Sequence, residues 1–184
     1  MYGLVNAAVH DMVVSKFGES TWEQIKTKAG LTIDTFSRME PYPDEIFYKM
    51  VTAASEVLGL AIDEVQQAFG EHWVRYTGRE GYGEMFDIAG RSLKDFLFNL
   101  DFLHTRVGQN FTQLQPPSFR FDTLNERTVR MHYHSDRKGL CPFVGGLLTG
   151  LAALFNTHVE VEHPVCSRNG ADHCEFLLTF TNNE

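Results

Sequence analysis

Three groups of residues in this sequence could do chemistry. Tyr133, Ser135 and Arg137 stand at spacing two within HYHSDR (132–137). On a strand that spacing puts side chains on one face. A phenol, a hydroxyl and a guanidinium there make a donor cluster with one fixed positive charge, suited to carboxylate oxygens. The same Y-x-S-x-R can also be an ordinary solvated strand. His104 follows Leu100 by four residues and precedes Val107 by three, so it points along an apolar helical stripe. An imidazole so placed is either a core histidine bonded to backbone or an axial ligand of haem iron. Cys141, His163, Cys166 and Cys174 form C-x21-H-x2-C-x7-C, which takes in all three cysteines of the chain. Three thiolates and an imidazole are the ligands of a closed tetrahedral zinc site. The alternatives are free thiols or a Cys166–Cys174 disulfide. His173, beside Cys174, is a substitute ligand that strand alternation would turn to the other face.

These groups need positioning elements. Val5, Val9, Met12, Val13 and Phe17 recur at helical spacing and Gly18 stops that helix. Ser20-Thr21-Trp22-Glu23 reads as a capping box opening a second helix that Gly30 ends. Ile46, Met50, Ala54 and Val57 mark a third helix, and Val65, Ala68, Phe69, His72, Trp73 and Tyr76 a fourth. Gly78, Gly81 and Gly83 then break the chain. From Ser92 a long helix carries Leu93, Phe96, Leu97, Leu100, Leu103, His104, Val107 and Phe111. Pro116-Pro117 ends the helical part. The period then changes to two, with Phe119 and Phe121 in one strand and Val129, Met131 and Tyr133 in another. A Gly- and Leu-rich helix covers about 141–156, Val159 and Val161 alternate, and a last strand runs from Cys174 to Phe180 after the Asn169-Gly170 turn. The expected fold is α+β: a helical part (about 1–115) and a small antiparallel sheet with one crossing helix (about 116–184), in a single domain.

Composition narrows the function. The net charge of −8 argues against nucleic acid, which selects basic faces. No run of about 18 apolar residues marks a membrane span, and MYGLVNAAVH has no basic start to suggest a signal peptide. Three late cysteines do not make a secreted disulfide scaffold, so the cytoplasm is expected. Fifteen phenylalanines suit a core that also lines a large apolar cavity.

The ordered motifs MYGLVN, AASEVLGL, AFGEHW, NLDFLH, PPSF and YHSDR, followed by a Gly-Leu-rich helix, resemble the haem–nitric oxide/oxygen-binding (H-NOX) family, similar to the haem domain of the soluble guanylate cyclase β subunit. The resemblance runs through nearly the whole chain. It implies haem b held between the two parts, with His104 as proximal iron ligand, Tyr133, Ser135 and Arg137 on the propionates, and Pro117 packed on the haem and bending it. HxxC followed by GADHC is similar to bacterial stand-alone members that bind zinc there, which falls on Cys141, His163, Cys166 and Cys174.

The resemblance also implies a mechanism. Nitric oxide bound to ferrous haem weakens the bond trans to it; loss of the His104–iron bond releases the helix and lets the haem flatten. The change passes to a separate partner, a sensor histidine kinase or a cyclic-di-nucleotide enzyme. In oxygen-binding members a tyrosine five residues after the motif arginine donates to the gas. Pro142 stands there and has no donor. Nitric oxide is therefore the expected gas, with carbon monoxide second and oxygen poorly bound. Trp73 retains an indole N–H near that side, with His72 and Tyr76 beside it. A zinc–thiolate site would add a redox input. The competing readings are a haem peroxidase, for which His72 and Arg75 lie three apart, a zinc hydrolase, which a closed four-ligand site excludes, and a zinc-stabilised interaction domain without haem. The expected protein is a monomeric sensor, not an enzyme.

Overall fold

The computed structural model describes residues 1–77, 83–109, 111 and 113–181. Helices α1 (Gly3–Phe17), α2 (Glu19–Lys28), α3 (Asp44–Leu58) and α4 (Ile62–Thr77) come first. Each inner stripe is apolar, such as Leu4, Ala8, Val9, Met12 and Val13 of α1 and Phe47, Met50, Val51 and Ala54 of α3. They close one buried cluster. The second helix does not start at the expected capping box. Gly18, at φ 84°, turns the chain directly into Glu19, and Thr21 Oγ1 donates back to the Phe17 carbonyl instead of capping.

Helix α5 (Gly83–Ala89) was not expected; Gly83 opens it, while Gly78 and Gly81 lie outside the described residues. The long helix expected from Ser92 is two: α6 (Leu93–Phe98) and α7 (Leu100–Gly108). Ser92 caps α6, accepting from the Asp95 N–H. Asn99 makes the joint. Its backbone leaves the helical region (φ −97°, ψ 5°), and its side-chain amide donates to the Ala89 carbonyl at 2.8 Å.

Strands β1 (Ser118–Thr123), β2 (Thr128–His134), β3 (Val159–Val165) and β4 (Cys174–Phe180) form an antiparallel sheet in the order β1-β2-β4-β3. Helix α8 (Cys141–Leu154) crosses between β2 and β3. Strand alternation buries Val129, Met131 and Tyr133 with Cys174, Phe176 and Leu178 against α6 and α8, a second cluster. Helix α4 packs tightly on α8 because glycines meet there. A Cβ on Gly70 would stand 2.2 Å from the Phe143 carbonyl oxygen, and one on Gly146 2.0 Å from that of Gln67. Among the described residues no helix is long and apolar enough to cross a membrane. The α+β architecture is the expected one.

Candidate functional site

Between the two buried clusters lies an apolar cavity of about 330 Å³, within the range of small-molecule and cofactor sites. Helices α6 and α7, with the segment after them, line it with Leu97, Leu100, Leu103, His104, Val107 and Pro117. Helices α4 and α8 contribute Phe69, Trp73, Phe143, Val144 and Leu147. Helix α7 has an apolar stripe yet no fully buried residue. A stripe facing a cavity rather than side chains produces that pattern.

His104 is on this wall, its ring stacked on Phe119 at 5.7 Å. Burial pushes its pKa below the usual histidine value, against weaker opposing effects of Asp101 and the Leu100 carbonyl, so the imidazole is neutral at pH 7. Nδ1 is buried with no hydrogen bond of ordinary geometry. A proton on Nδ1 leaves the Nε2 lone pair for a metal.

Tyr133, Ser135 and Arg137 line the same cavity, but one strand face does not align them. Strand β2 ends at His134, and the turn that follows brings the other two in. The Arg137 backbone N–H donates to Ser135 Oγ at 3.1 Å. Arg137 Nε donates to Asp44 Oδ2 at 2.7 Å and Nη1 to the Gln115 carbonyl at 2.7 Å. Asp44 also accepts from the Met1 ammonium. Burial raises the Asp44 pKa, but that ammonium and Arg137 outweigh it and hold the carboxyl below its usual value. Sequence reasoning missed Asp44 and Gln115. Asp44 lies 93 residues from Arg137, and no local signal links them.

Trp73 packs between Phe69 (6.2 Å) and Tyr76 (6.4 Å). Pro142 stands at the start of α8 and does not itself line the cavity; its neighbours Phe143 and Val144, with hydrocarbon side chains, do. His72 and Arg75 do not line this cavity. They face a different depression beside Lys16 and Phe155, with His72 Nε2 3.0 Å from Asp11. The His72–Arg75 pair of the peroxidase reading is therefore not at this cavity.

The ligand atoms of Cys141, His163, Cys166 and Cys174 lie within 4.8 Å of one another. All three cysteines are free, without the alternative Cys166–Cys174 disulfide. The Cys141–Cys166 Sγ separation is 3.6 Å, close to the edge of a tetrahedron whose corners stand about 2.3 Å from a zinc ion. His163 Nε2 is buried without a partner, and its ring stacks on Phe176 at 4.3 Å. Burial pushes the Cys141 thiol up to about 12, with the neighbouring Cys166 adding to the effect. A cation would reverse that shift. Cys174 Sγ accepts from the Ser167 N–H at 3.3 Å and lies the same distance from the Ser167 hydroxyl. Arg168, in the same turn, forks onto Asp63 of α4 with two bonds of 2.8 Å, tying the cluster to the helical half.

A model of the haem–NO-binding family matches residues 2–163. The chain belongs to this family. Soluble guanylate cyclase gcy-31 of Caenorhabditis elegans is 30% identical over 163 residues, covering 88% of this chain and 23% of the cyclase. Soluble guanylate cyclase 89Db of Drosophila melanogaster is 25% identical over 155 residues, covering 84% and 23%. The chain thus spans about a quarter of the length of these relatives. An H-NOX protein from S. oneidensis in the Fe(II) ligation state superposes with a TM-score of 0.92 at 24% identity, over 100% of this chain and 98% of that one. The Fe(II) unliganded H-NOX protein from K. algicida gives 0.86 at 18% identity, over 100% and 98%. This is the H-NOX fold, and the family is a haem- and gas-binding domain rather than a catalytic one.

Proposed function

We propose that residues 1–184 act as one haem-based nitric oxide sensor that signals by releasing His104. The observation that carries the reading is a neutral imidazole on the wall of an apolar cavity that also meets Tyr133, Ser135 and Arg137. The residues fit haem b at both ends: a nitrogen ligand with a buried, unbonded Nδ1, and donors for two carboxylates. Bound there, haem supplies a ferrous iron that takes a diatomic gas.

The chain's own residues do the rest. His104 Nε2 would hold the iron and so tie α7 to it. Tyr133, Ser135 and Arg137 hold the propionates, with Asp44 keeping the guanidinium oriented through its Nε contact. Pro117 packs on the haem face. Pro142 offers no donor to bound oxygen, which leaves nitric oxide, and after it carbon monoxide, as the matching gases; the Trp73 indole N–H is a donor on the wall that Phe69 and Phe143 share. Release of His104 from the iron would be the signal. Helix α7, joined to α6 through Asn99 and without a fully buried residue, is then free to take a second position. A partner reads the shift, a histidine kinase or a cyclic-di-nucleotide enzyme acting in trans. Cys141, His163, Cys166 and Cys174 hold structural zinc and staple α8 to the sheet. Peroxide, by oxidising two of the thiolates to a disulfide and releasing the metal, would give a second input.

Electronic absorption of the haem-reconstituted ferrous protein tests the gas. A Soret band that shifts with nitric oxide and is unchanged on equilibration with oxygen is the expected result. A stable oxygen complex, or no haem uptake, overturns the reading.

A further inference from the structure

The outer face of the sheet carries a cluster of ligand-type side chains that gas sensing does not use. His132 on β2 stands across from Glu175 on β4, in the register next to Tyr133 and Cys174. Strand alternation turns Tyr133 and Cys174 inward and His132 and Glu175 outward. His173 flanks Cys174 on the same outer side as Glu175. Despite facing outward, His132 is only 5% exposed, and the side chains of His173 and Glu175 are 16% and 18% exposed.

His132 Nδ1 lies 2.9 Å from His173 Nε2, and Glu175 Oε1 lies 3.5 Å from each of them. Ligand atoms around one small cation have such separations. A circle through these three atoms has a radius of about 1.9 Å, so an ion just off their plane stands about 2.0–2.1 Å from all three.

The other ring nitrogen of each histidine has a carboxylate partner. His132 Nε2 is 2.9 Å from Asp122 Oδ2, and His173 Nδ1 is 2.5 Å from Asp172 Oδ1. A carboxylate only accepts, so each of these nitrogens donates to it. Arg120 Nη2 approaches the same His132 nitrogen at 3.2 Å, farther than Asp122, and lies 3.6 Å from that carboxylate. His132 Nδ1 and His173 Nε2 therefore turn toward each other and toward Glu175 Oε1. Arg130 reaches only the other Glu175 oxygen, at 3.5 Å, and the His134 ring stacks on His173 at 4.4 Å. One cation there would meet two imidazole nitrogens and a carboxylate oxygen at once, and a carboxylate behind each imidazole is the arrangement that orients metal-bound histidines.

We propose that His132, His173 and Glu175 bind a divalent transition-metal ion, with Asp122 and Asp172 orienting the two imidazoles. Two imidazoles and one carboxylate suit zinc and leave its remaining positions to water or an outside ligand. Strand β4 would then carry a metal site on each face, through Cys174 inward and Glu175 outward.

Zinc titration of the haem-loaded full chain, stripped of exchangeable metal by a chelator, tests this, with uptake followed by calorimetry and elemental analysis. The expected wild type has a zinc equivalent that Cys166→Ser leaves intact. Glu175→Gln, His173→Gln and Asp122→Asn each weaken that equivalent at least tenfold while the Soret band and circular dichroism stay unchanged. Asp122→Asn lies away from Cys174, so its effect cannot come from disturbing the cysteine cluster. Either of two results overturns the proposal: no zinc uptake outside the equivalent that Cys166→Ser abolishes, or an additional equivalent that all three variants bind as tightly as wild type.

Discussion

At the residue scale, the donors beside the cavity have separable roles. Arg137 is the one fixed cation of the Tyr133, Ser135 and Arg137 set, and a hydrogen bond to a charged partner contributes about 1.5–3 kcal/mol, roughly 10- to 150-fold in affinity. Arg137→Ala is therefore expected to speed haem transfer to an acceptor globin by that order, while Tyr133→Phe, which removes a neutral donor, has a smaller effect. Much of this chemistry was legible as residue types: His104 on an apolar stripe, the Y-x-S-x-R triplet and a cysteine pattern that takes in every thiol. What was not legible is contact across the fold. Asp44 meets Arg137 only after α3 and the turn beyond β2 are brought together. His132 and His173, 41 residues apart, meet only through the β2–β4 register.

Among the elements, α4 and α8 depend on a crossing that tolerates no Cβ. Gly70→Ala would force the helices apart at the Phe143 carbonyl, 2.2 Å from the new atom. Overpacking of this kind costs about 1–3 kcal/mol, a fall in Tm of several degrees in a scan of the haem-free protein. The cysteine cluster joins the start of α8 to the end of β3 and the start of β4, and Arg168 extends the link to α4. Zinc chelation, or Cys166→Ser, is expected to lower Tm by about 5 °C or more; equal melting of chelated and untreated protein would remove zinc from the account. Apolar periodicity located the main helices and strands because burial sets both. It could not show the break at Asn99, which comes from one side-chain bond to Ala89, or that α2 starts on Gly18 rather than at the Ser20 signature.

For the whole molecule, the Met1 ammonium, Asp44, Arg137 and the Gln115 carbonyl form a chain that joins the N-terminus, the helical half and the sheet half. The Asp44 carboxyl is held below its ordinary value by the ammonium and guanidinium that face it, despite its burial; Tyr48 is the other titratable group nearby. A lowered folded pKa contributes stability that is present above the unfolded value and lost as pH falls through the folded one. The urea midpoint should therefore drop as pH falls below about 4, and less steeply in Asp44→Asn. That same network reaches the cavity's edge through Arg137, whereas the proposed signal starts at His104 on another wall. Electronic absorption of ferrous, haem-reconstituted His104→Gly in imidazole-free buffer tests this most directly. The wild-type histidine-ligated spectrum should be absent and should return when imidazole is added. An unchanged histidine-type spectrum before any imidazole is present would contradict the account.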